Sequence, residues 1–439
     1  MLFFLMALGI GQGGQTELVA RIAYAEQEGE PAVVASELQD RINAAVLSGG
    51  RWLEARLAPE ALRKMGEKAA MPPGVYFGHL ALGALAVVHS GVAEDRSVLN
   101  GVIDYLVQNH RSGQGTYGLG LMILLSREVD RLESEQEQGE IAARSKRLGW
   151  GRRLRLAARA CAGQLRLHMR GGGWGYGVGS ERGDLSNSEH AMLGLLAAQS
   201  GGMNAGALSA TDLVDFLRQH LLELTEEDMG GRPRPAIVAS CMKIAGGGGD
   251  GSLPAPAAMR YAVRGGNATG SASVSALVCL AGLCRLSESG SVVGLSPELR
   301  GQIQEMLGRV LTWIAWTFEP QGNPEVIMLQ DPKSGRRPVQ GLAGMWHGSY
   351  LIGVERACSL LGVEAFGDLE WYSEGAKFLV ASQALTGEWR LVGPGVESRI
   401  SGSGPYDAAF VDTCHAVLFL RRSTRGLGPS AAPGVKTGK

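Results

Sequence analysis

The chain has 439 residues, a formal net charge of −1 and a hydrophobic share of 45%. This charge balance gives no basic field for nucleic acid and no acidic tail for a basic partner, so the sequence predicts no nucleic-acid partner. Glycine accounts for 65 residues, about twice its usual share. Glycines at helix ends are typical of many short helices joined by tight connections.

The six cysteines fall within apolar runs that are predicted to be helical, and no CxxC spacing occurs. We therefore interpret them as small buried hydrophobic residues rather than as a disulfide framework or a metal site.

The two ends of the chain differ from its middle. The apolar run Leu2–Ile10 has the length of a signal-peptide core, although the first cationic residue is Arg21. It predicts a signal peptide over residues 1–15 and export to the periplasm. The alternative is a buried first helix in a cytoplasmic protein. Residues 423–439 have the composition of a disordered tail.

Five times, a glycine-rich or aromatic turn and a polar residue precede a stretch that is apolar on almost every side. Helices of this kind must be buried, and these are too short and too rich in glycine and alanine to cross a bilayer. No transmembrane segment is therefore predicted. The five copies begin near Gly78, Asp184, Gly270, Trp346 and Asp412.

Amphipathic stretches alternate with the apolar ones. Residues 212–224 and 297–314 place apolar side chains on one face and charged ones on the other. Ser296-Pro297 supplies a favourable helix start. Further stretches of this kind cover about residues 33–48, 97–109, 146–168 and 371–383. Alternation of buried and one-sided helices predicts an all-α fold, an α/α toroid of about six helical hairpins with inner and outer rings, over residues 16–422.

Two motifs carry a resemblance to a known superfamily. The segment Gln383–Trp389 matches the QxxxGxW repeat of squalene and oxidosqualene cyclases, and Gly171–Tyr176 followed by Asp184–Asn187 resembles a turn of bacterial prenyltransferase and squalene-oxidase repeat-containing proteins. Over residues 40–421 the chain resembles the α/α toroids of terpenoid cyclases and protein prenyltransferases. The resemblance implies a central apolar cavity for an isoprenoid-like ligand. In the repeat, Gln383 would secure helix ends and Trp389 would pack on the neighbouring turn.

The catalytic signatures of that superfamily are missing. The strings DxDD and DDxxD do not occur, and the zinc-binding DxC pair would align with His347-Gly348-Ser349, with Asp412 over the zinc histidine region. A serine would replace the thiolate ligand. Whether the chain is an enzyme therefore stays open, and no cofactor is predicted. His347 and Asp412 remain candidates for a metal or acid/base cluster.

The repeat geometry predicts that polar residues meet at one mouth of the toroid, where helix N-termini favour an anion or a carboxylate-bearing ligand. Helix capping alone explains Asp184, Asn187, Ser271 and Asp412. The candidate catalytic residues are His347, Asp412 and Asp184, and the candidate ligand-binding residues are His79, Asn187, Ser271, Trp346, Tyr350 and His415.

Three functions compete at this point. The leading hypothesis is an exported toroid that binds an isoprenoid or other hydrophobic small molecule. If the protein is an enzyme, it also transforms this molecule. The second is a non-catalytic interaction scaffold with an unknown protein partner. The third is a carbohydrate-active toroid that uses paired carboxylates such as Asp184 and Asp412.

Overall fold

The computed structural model describes residues 31–58, 73–92, 98–111, 115–134, 140–177, 180–203, 206–230, 254–261, 266–331, 335–343, 345–391 and 408–427. The predicted signal peptide over residues 1–15 lies outside these ranges, as does the predicted tail after residue 427. Internal contacts divide the chain into two compact units, residues 1–45 and 46–439. The described part of the first unit, residues 31–45, is helical. The helices and strands after residue 45 belong to the second unit.

The protein is mostly helical, which confirms the all-α class. Its α-helices in the described ranges are α1 (Pro31–Leu57), α2 (Pro73–Ser90), α3 (Val98–Asn109), α4 (Thr116–Ser134), α5 (Glu140–Leu148), α6 (Trp150–His168), α7 (Leu185–Ser200), α8 (Ala210–His220), α9 (Gly270–Glu288), α10 (Pro297–Thr317), α11 (His347–Leu361), α12 (Trp371–Ser382) and α13 (Ala408–Leu420). Short 3₁₀ turns cover Glu227–Met229 and Arg425–Leu427.

The strands are short except for one hairpin. They are β1 (Met169–Arg170), β2 (Gly173–Trp174), β3 (Leu208–Ser209), β4 (Leu221–Glu223), β5 (Ala257–Met259), β6 (Ala268–Thr269), β7 (Val292–Val293), β8 (Asn323–Asp331) and β9 (Gly335–Ala343). The pairs β1–β2 and β4–β5 are antiparallel, and β3–β7 is parallel. An antiparallel sheet has the order β6–β8–β9, with Asn323 opposite Ala343 in the hairpin.

Several helix starts follow the capping chemistry of the sequence. Asp184 accepts a hydrogen bond from the Asn187 N–H at the start of α7, and Thr269 accepts one from the Ala272 N–H at the start of α9. Ser296 caps α10, whose first residue is proline. These side chains satisfy N–H groups that have no partner within the helix.

Six helices are buried on nearly every side and contact one another in chain order. Helix α2 contacts α4, α4 contacts α7, α7 contacts α9, α9 contacts α11, α11 contacts α13, and α13 contacts α2 again. We call these six the core helices. The amphipathic helices pack outside these pairs: α3 on α2, α6 on α4 and α7, α8 and α10 on α9, and α12 on α13. Each of the six predicted amphipathic stretches is largely helical, but the one over residues 212–224 ends at His220, where β4 follows, and the one over residues 146–168 is divided between α5 and α6.

Neighbouring core helices run parallel where paired contacts define their direction. Glu189 of α7 contacts Ser275 of α9, and Leu196, farther along α7, lies beside Gly282 of α9. Contacts between α9 and α11 also advance in the same direction, from Gly270 with Tyr350 to Val274 with Gly353. The N-termini of α7, α9 and α11 therefore lie at the same end.

The core differs from the prediction at three helices. Helix α4, whose first residue is Thr116, was not recognised as a core helix. It packs closely on α7, because an added β-carbon on Gly194 would lie 2.9 Å from the Cα of Gly120. Helices α2 and α13 begin earlier than predicted, at Pro73 and Ala408. His79 and Asp412 therefore lie within these helices rather than at their ends.

The described fold extends beyond the predicted boundary at residue 422. Thr424 is buried, and its N–H donates to Oε1 of Glu355 in α11 over 3.1 Å. Residues 423–427 therefore pack on the core instead of belonging to a tail.

Among the described residues, one helix has the length and hydropathy of a membrane span. This helix is α9, and 78% of its apolar window is buried inside the protein. The burial is what a core helix requires, so α9 is weak evidence for a transmembrane segment.

Candidate functional site

A buried ion pair joins two core helices that are not consecutive in the contact order. Nη1 of Arg356 in α11 donates to Oε1 of Glu189 in α7 over 2.6 Å, and both side chains are almost fully buried. The hydroxyl of Ser275 in α9 donates to the other carboxylate oxygen, also over 2.6 Å. Because α9 separates α7 from α11 in the contact order, the pair spans the space between them.

Three histidines accompany this ion pair. Nδ1 of His190 lies 2.9 Å from the Ser186 carbonyl oxygen, and its Nε2 lies 3.5 Å from Nη1 of Arg356. The two contacts fix a neutral ring whose Nδ1 donates and whose Nε2 accepts. His415 of α13 and His79 of α2 complete the group. We call Glu189, His190, Ser275, Arg356, His415 and His79 the interior polar cluster.

Burial and the Arg356 charge keep His190 and His415 neutral. Burial, followed by the Arg356 charge, lowers the pKa of His190 to about 4. Burial also lowers the pKa of His415 well below its ordinary value, and Arg356, His190 and His79 are close enough to add to this effect. Burial opposes ionisation of Glu189, but the charge of Arg356 and the hydrogen bonds of Ser275 and Arg356 hold its pKa below the ordinary value. At neutral pH the cluster therefore contains the Glu189 anion, the Arg356 cation and the neutral imidazoles of His190 and His415.

The cluster is buried but is not covered on every side. All six of its residues keep 3 to 5% of their surface accessible. Polar residues on other faces of the same helices, such as Ser188, Glu355 and Thr413, keep none. Side chains that pack against protein on every side lose all accessible surface, so the six side chains of the cluster leave some surface uncovered.

His347 and Asp412, the predicted acid/base pair, meet at one backbone segment. Oδ2 of Asp412 accepts the Leu391 N–H over 2.8 Å, and the Leu391 carbonyl interacts with His347. Nε2 of His347 lies 2.9 Å from the Pro320 carbonyl oxygen. Burial lowers the pKa of His347 to about 4 despite these carbonyls. Both residues thus hold the chain before α13 and the start of α11 together.

Asp412 also approaches the interior polar cluster. A β-carbon added to Gly348 would lie 2.8 Å from Oδ1 of Asp412 and 3.4 Å from Nδ1 of His415. The two side chains therefore face the same turn of α11. That Nδ1 atom of His415 is buried and has no hydrogen-bond partner among the described residues.

Asp184 and Asn187 form a separate group at the start of α7. Nδ2 of Asn187 donates to Oδ2 of Asp184 over 2.8 Å, in addition to the capping bond. Burial raises the pKa of Asp184 against these hydrogen bonds and against Tyr261, which lies beside it. The hydroxyls of Tyr261 and Tyr176 are 3.3 Å apart. Asp184 and Asp412 therefore interact with different partners.

The remaining candidates lie near the start of α9 and α11. The Ser271 N–H donates to Oδ1 of Asn323, and Asn323 donates back to the Ser271 hydroxyl. Tyr350 is fully buried against Gly270 and Phe318. Trp346 is 45% exposed and has the left-handed backbone conformation, with φ 61°. Tyr350 thus packs between helices, and Trp346 faces outward in part.

The described residues contain no group of three or more histidine, cysteine, aspartate or glutamate side chains arranged to hold a metal ion. A surface pocket of about 500 Å³ lies at the opposite ends of α7 and α9, lined by Gln199, Gly202, Met203, Gly206, Ala207, Ser289, Gly290 and Ser291. Its lining carries no charged side chain.

The QxxxGxW segment follows α12. Gln383 comes directly after Ser382, the last residue of α12, and its Nε2 donates to the Gly387 carbonyl over 2.8 Å. Trp389 is fully buried, and its Nε1 donates to the Leu379 carbonyl of α12 over 2.7 Å.

Comparisons of the chain with protein-family models, with curated proteins and with solved structures find no match. The superfamily suggested by the motifs stays a prediction.

Sequence reasoning missed part of the cluster. Arg356, Ser275, Glu189 and His190 are not among the candidates that the sequence predicts. The sequence does contain a signal for Arg356, because the charged pair Glu355-Arg356 interrupts the apolar run Leu351–Leu360. Adjacent charges in a helix that is buried on every side require partners inside the fold.

Proposed function

We propose that the second unit is an α/α toroid that binds an isoprenoid-like or other hydrophobic ligand in its interior. The cyclic contact order of the six core helices and their parallel neighbours support a closed inner ring. The amphipathic helices on its outside support an outer ring. An open row of helices would leave α2 and α13 apart, whereas they contact each other.

The observation that carries the binding proposal is the Arg356–Glu189 pair within otherwise apolar helices. Desolvation makes a buried ion pair a poor source of stability compared with apolar side chains of similar volume. Its incomplete cover, together with the neutral imidazoles of His190 and His415 beside it, supports a role in holding a ligand. Helix α13 illustrates the remaining lining, because every residue from Ala409 to Leu420 is buried and most are apolar.

If the bound ligand is transformed, the reaction is cyclase-like or prenyltransferase-like. The residues that carry it out then differ from the DxDD, DDxxD and DxC signatures of that superfamily. The neutral imidazoles of His190 and His415 are then the groups able to accept a proton inside the ring. Export of the chain is part of the same proposal. Mass spectrometry of the N-terminus in the native host tests it, and an uncleaved chain would contradict it.

Native mass spectrometry of protein from its host membranes tests ligand binding. We expect a co-purifying lipid that exchanges for added farnesol. Ser275→Leu places a larger side chain in the interior polar cluster and should prevent binding, whereas Glu288→Leu, an exposed change in the same helix, should not. A protein that folds, carries no lipid and binds no farnesol would refute the proposal.

An interaction scaffold is the second candidate, and the β8–β9 hairpin favours it. Leu342, at the open end of the hairpin, and Met345 and Trp346, which follow it, are 38 to 54% exposed, and exposed apolar groups in proximity are typical of protein contact sites. Leu342→Asp should release a bound partner from affinity-purified native protein without changing ligand binding. Retention of the same partner by the variant would argue against this surface.

A further inference from the structure

The interior polar cluster contains donors that no described residue accepts. Both contacts of Arg356 with described side chains use Nη1, one to Glu189 and one to His190. An arginine and a carboxylate commonly form two parallel hydrogen bonds, but here the second oxygen of Glu189 accepts from Ser275 instead. Nε and Nη2 of Arg356 are therefore available to an acceptor that reaches the uncovered surface of the cluster.

His415 supplies a further group to the same surface. Its side chain is 4% exposed, whereas its Nδ1 is closed off against the Gly348 turn and has no partner among the described residues. The other ring nitrogen, Nε2, is therefore the one that can meet a ligand. A neutral imidazole carries one N–H, so His415 can donate from Nε2 to an oxygen that approaches it.

The charge of the cluster limits the ligand. The ionisable groups that face it are His79 of α2, Glu189 and His190 of α7, Cys279 of α9, Arg356 of α11 and Asp412 and His415 of α13. Arg356 is the cation among them, and Glu189 already balances it. A polyanion such as a diphosphate would bring several uncompensated charges into a buried site, whereas a monoanion brings one.

We propose that the ligand of this site carries a single carboxylate, which the free edge of Arg356 and the Nε2–H of His415 bind. This inference rests on the proposed function, since the apolar body of the ligand occupies the ring described there. A planar carboxylate fits the two remaining guanidinium donors side by side.

Calorimetric titration with three probes that share one tail tests the head group. The probes are farnesoic acid, farnesol and farnesyl diphosphate, at neutral pH. The wild type should bind the acid about tenfold or more tightly than the alcohol, because each charge-assisted hydrogen bond changes affinity by roughly that factor. The diphosphate should bind more weakly than the acid.

Variants assign the preference to the cluster. Glu189→Gln removes the competing carboxylate and should increase the preference for the acid. Arg356→Gln should abolish it, and the double variant E189Q/R356Q, which leaves no buried charge unpaired, should bind farnesol while showing no preference. The matched control Arg155→Gln changes an arginine paired at the surface with Asp130 and should behave as the wild type does.

The outcomes separate the two proposals. If farnesol binds but the acid binds no more tightly, or if the diphosphate binds best, the carboxylate inference is wrong and ligand binding stands. If the preference survives in the double variant, Arg356 is not the carboxylate site. If no probe binds to the wild type, both proposals fail.

Discussion

Acidification should destabilise the protein through His190, and a single substitution isolates the effect. In the fold the pKa of His190 is about 4, mainly because of burial and then because of Arg356. In the unfolded chain it is about 6.5. The unfolded state therefore binds more protons between these two values, so this histidine lowers stability as the pH falls from about 6.5 towards 4.

The magnitude follows from the two pKa values. Between pH 7.5 and pH 5.5 the unfolded chain gains about one proton at this site while the folded chain stays neutral, which corresponds to about 1.3 kcal/mol. His190→Gln removes the site. The difference in the free energy of unfolding between wild type and variant should therefore shift by about 1.3 kcal/mol in favour of the variant at the lower pH.

Urea denaturation at both pH values measures this shift. The total stability is not diagnostic, because burial raises the pKa of Glu355 to about 7 and gives the opposite pH dependence. That contribution is common to wild type and variant and cancels in the difference. A difference that does not change with pH would refute the neutral, buried state of His190.

Three further substitutions test the core. Arg356→Met leaves Glu189 buried without its cation and should cost about 3 to 5 kcal/mol, most of which E189Q/R356M should restore in thermal or urea unfolding. Gly120→Ala drives a methyl group into the backbone of α7 and should cost about 1 to 3 kcal/mol, whereas Gly101→Ala, with open space around it, should stabilise α3 by about 0.5 to 1 kcal/mol. Trp389→Ala removes a fully buried ring and its hydrogen bond to α12, and we expect a loss of about 3 to 5 kcal/mol. Equal effects of the two glycine changes, or stability unchanged in the other variants, would contradict the packing described.

Periodicity predicted the helices well because burial depends on local composition. A helix buried on all sides, such as α7 or α9, needs apolar residues all round, and the sequence displays them directly. Helix α4 was missed because its second half, Ser126–Ser134, carries five charged residues. These include Glu128, Asp130 and Arg131, whose side chains contact His89 and residues of α6 or bond within α4. Its first half alone has the core pattern.

The candidate site was predicted only in part, for a reason that lies in the geometry. Polar residues at helix starts are conspicuous in a sequence, so the predicted site residues lie mostly at the ends of the core helices. The cluster instead lies about one to two and a half turns inside them, where α7, α11 and α13 approach one another. No spacing along the chain relates Glu189 to Arg356, which lie 167 residues apart.

A charge in a fully apolar helix is nevertheless a specific signal, because it cannot be left unpaired in a medium of low dielectric constant. Helix α7 contains Glu189, and helix α11 contains Glu355 and Arg356. Of these, Glu355 faces the C-terminal segment and bonds to Thr424, which leaves Arg356 and Glu189 to neutralise each other across α9. A search for opposite charges on different buried helices would therefore have indicated the interior polar cluster, whereas the helix caps indicated only the ends of the core helices.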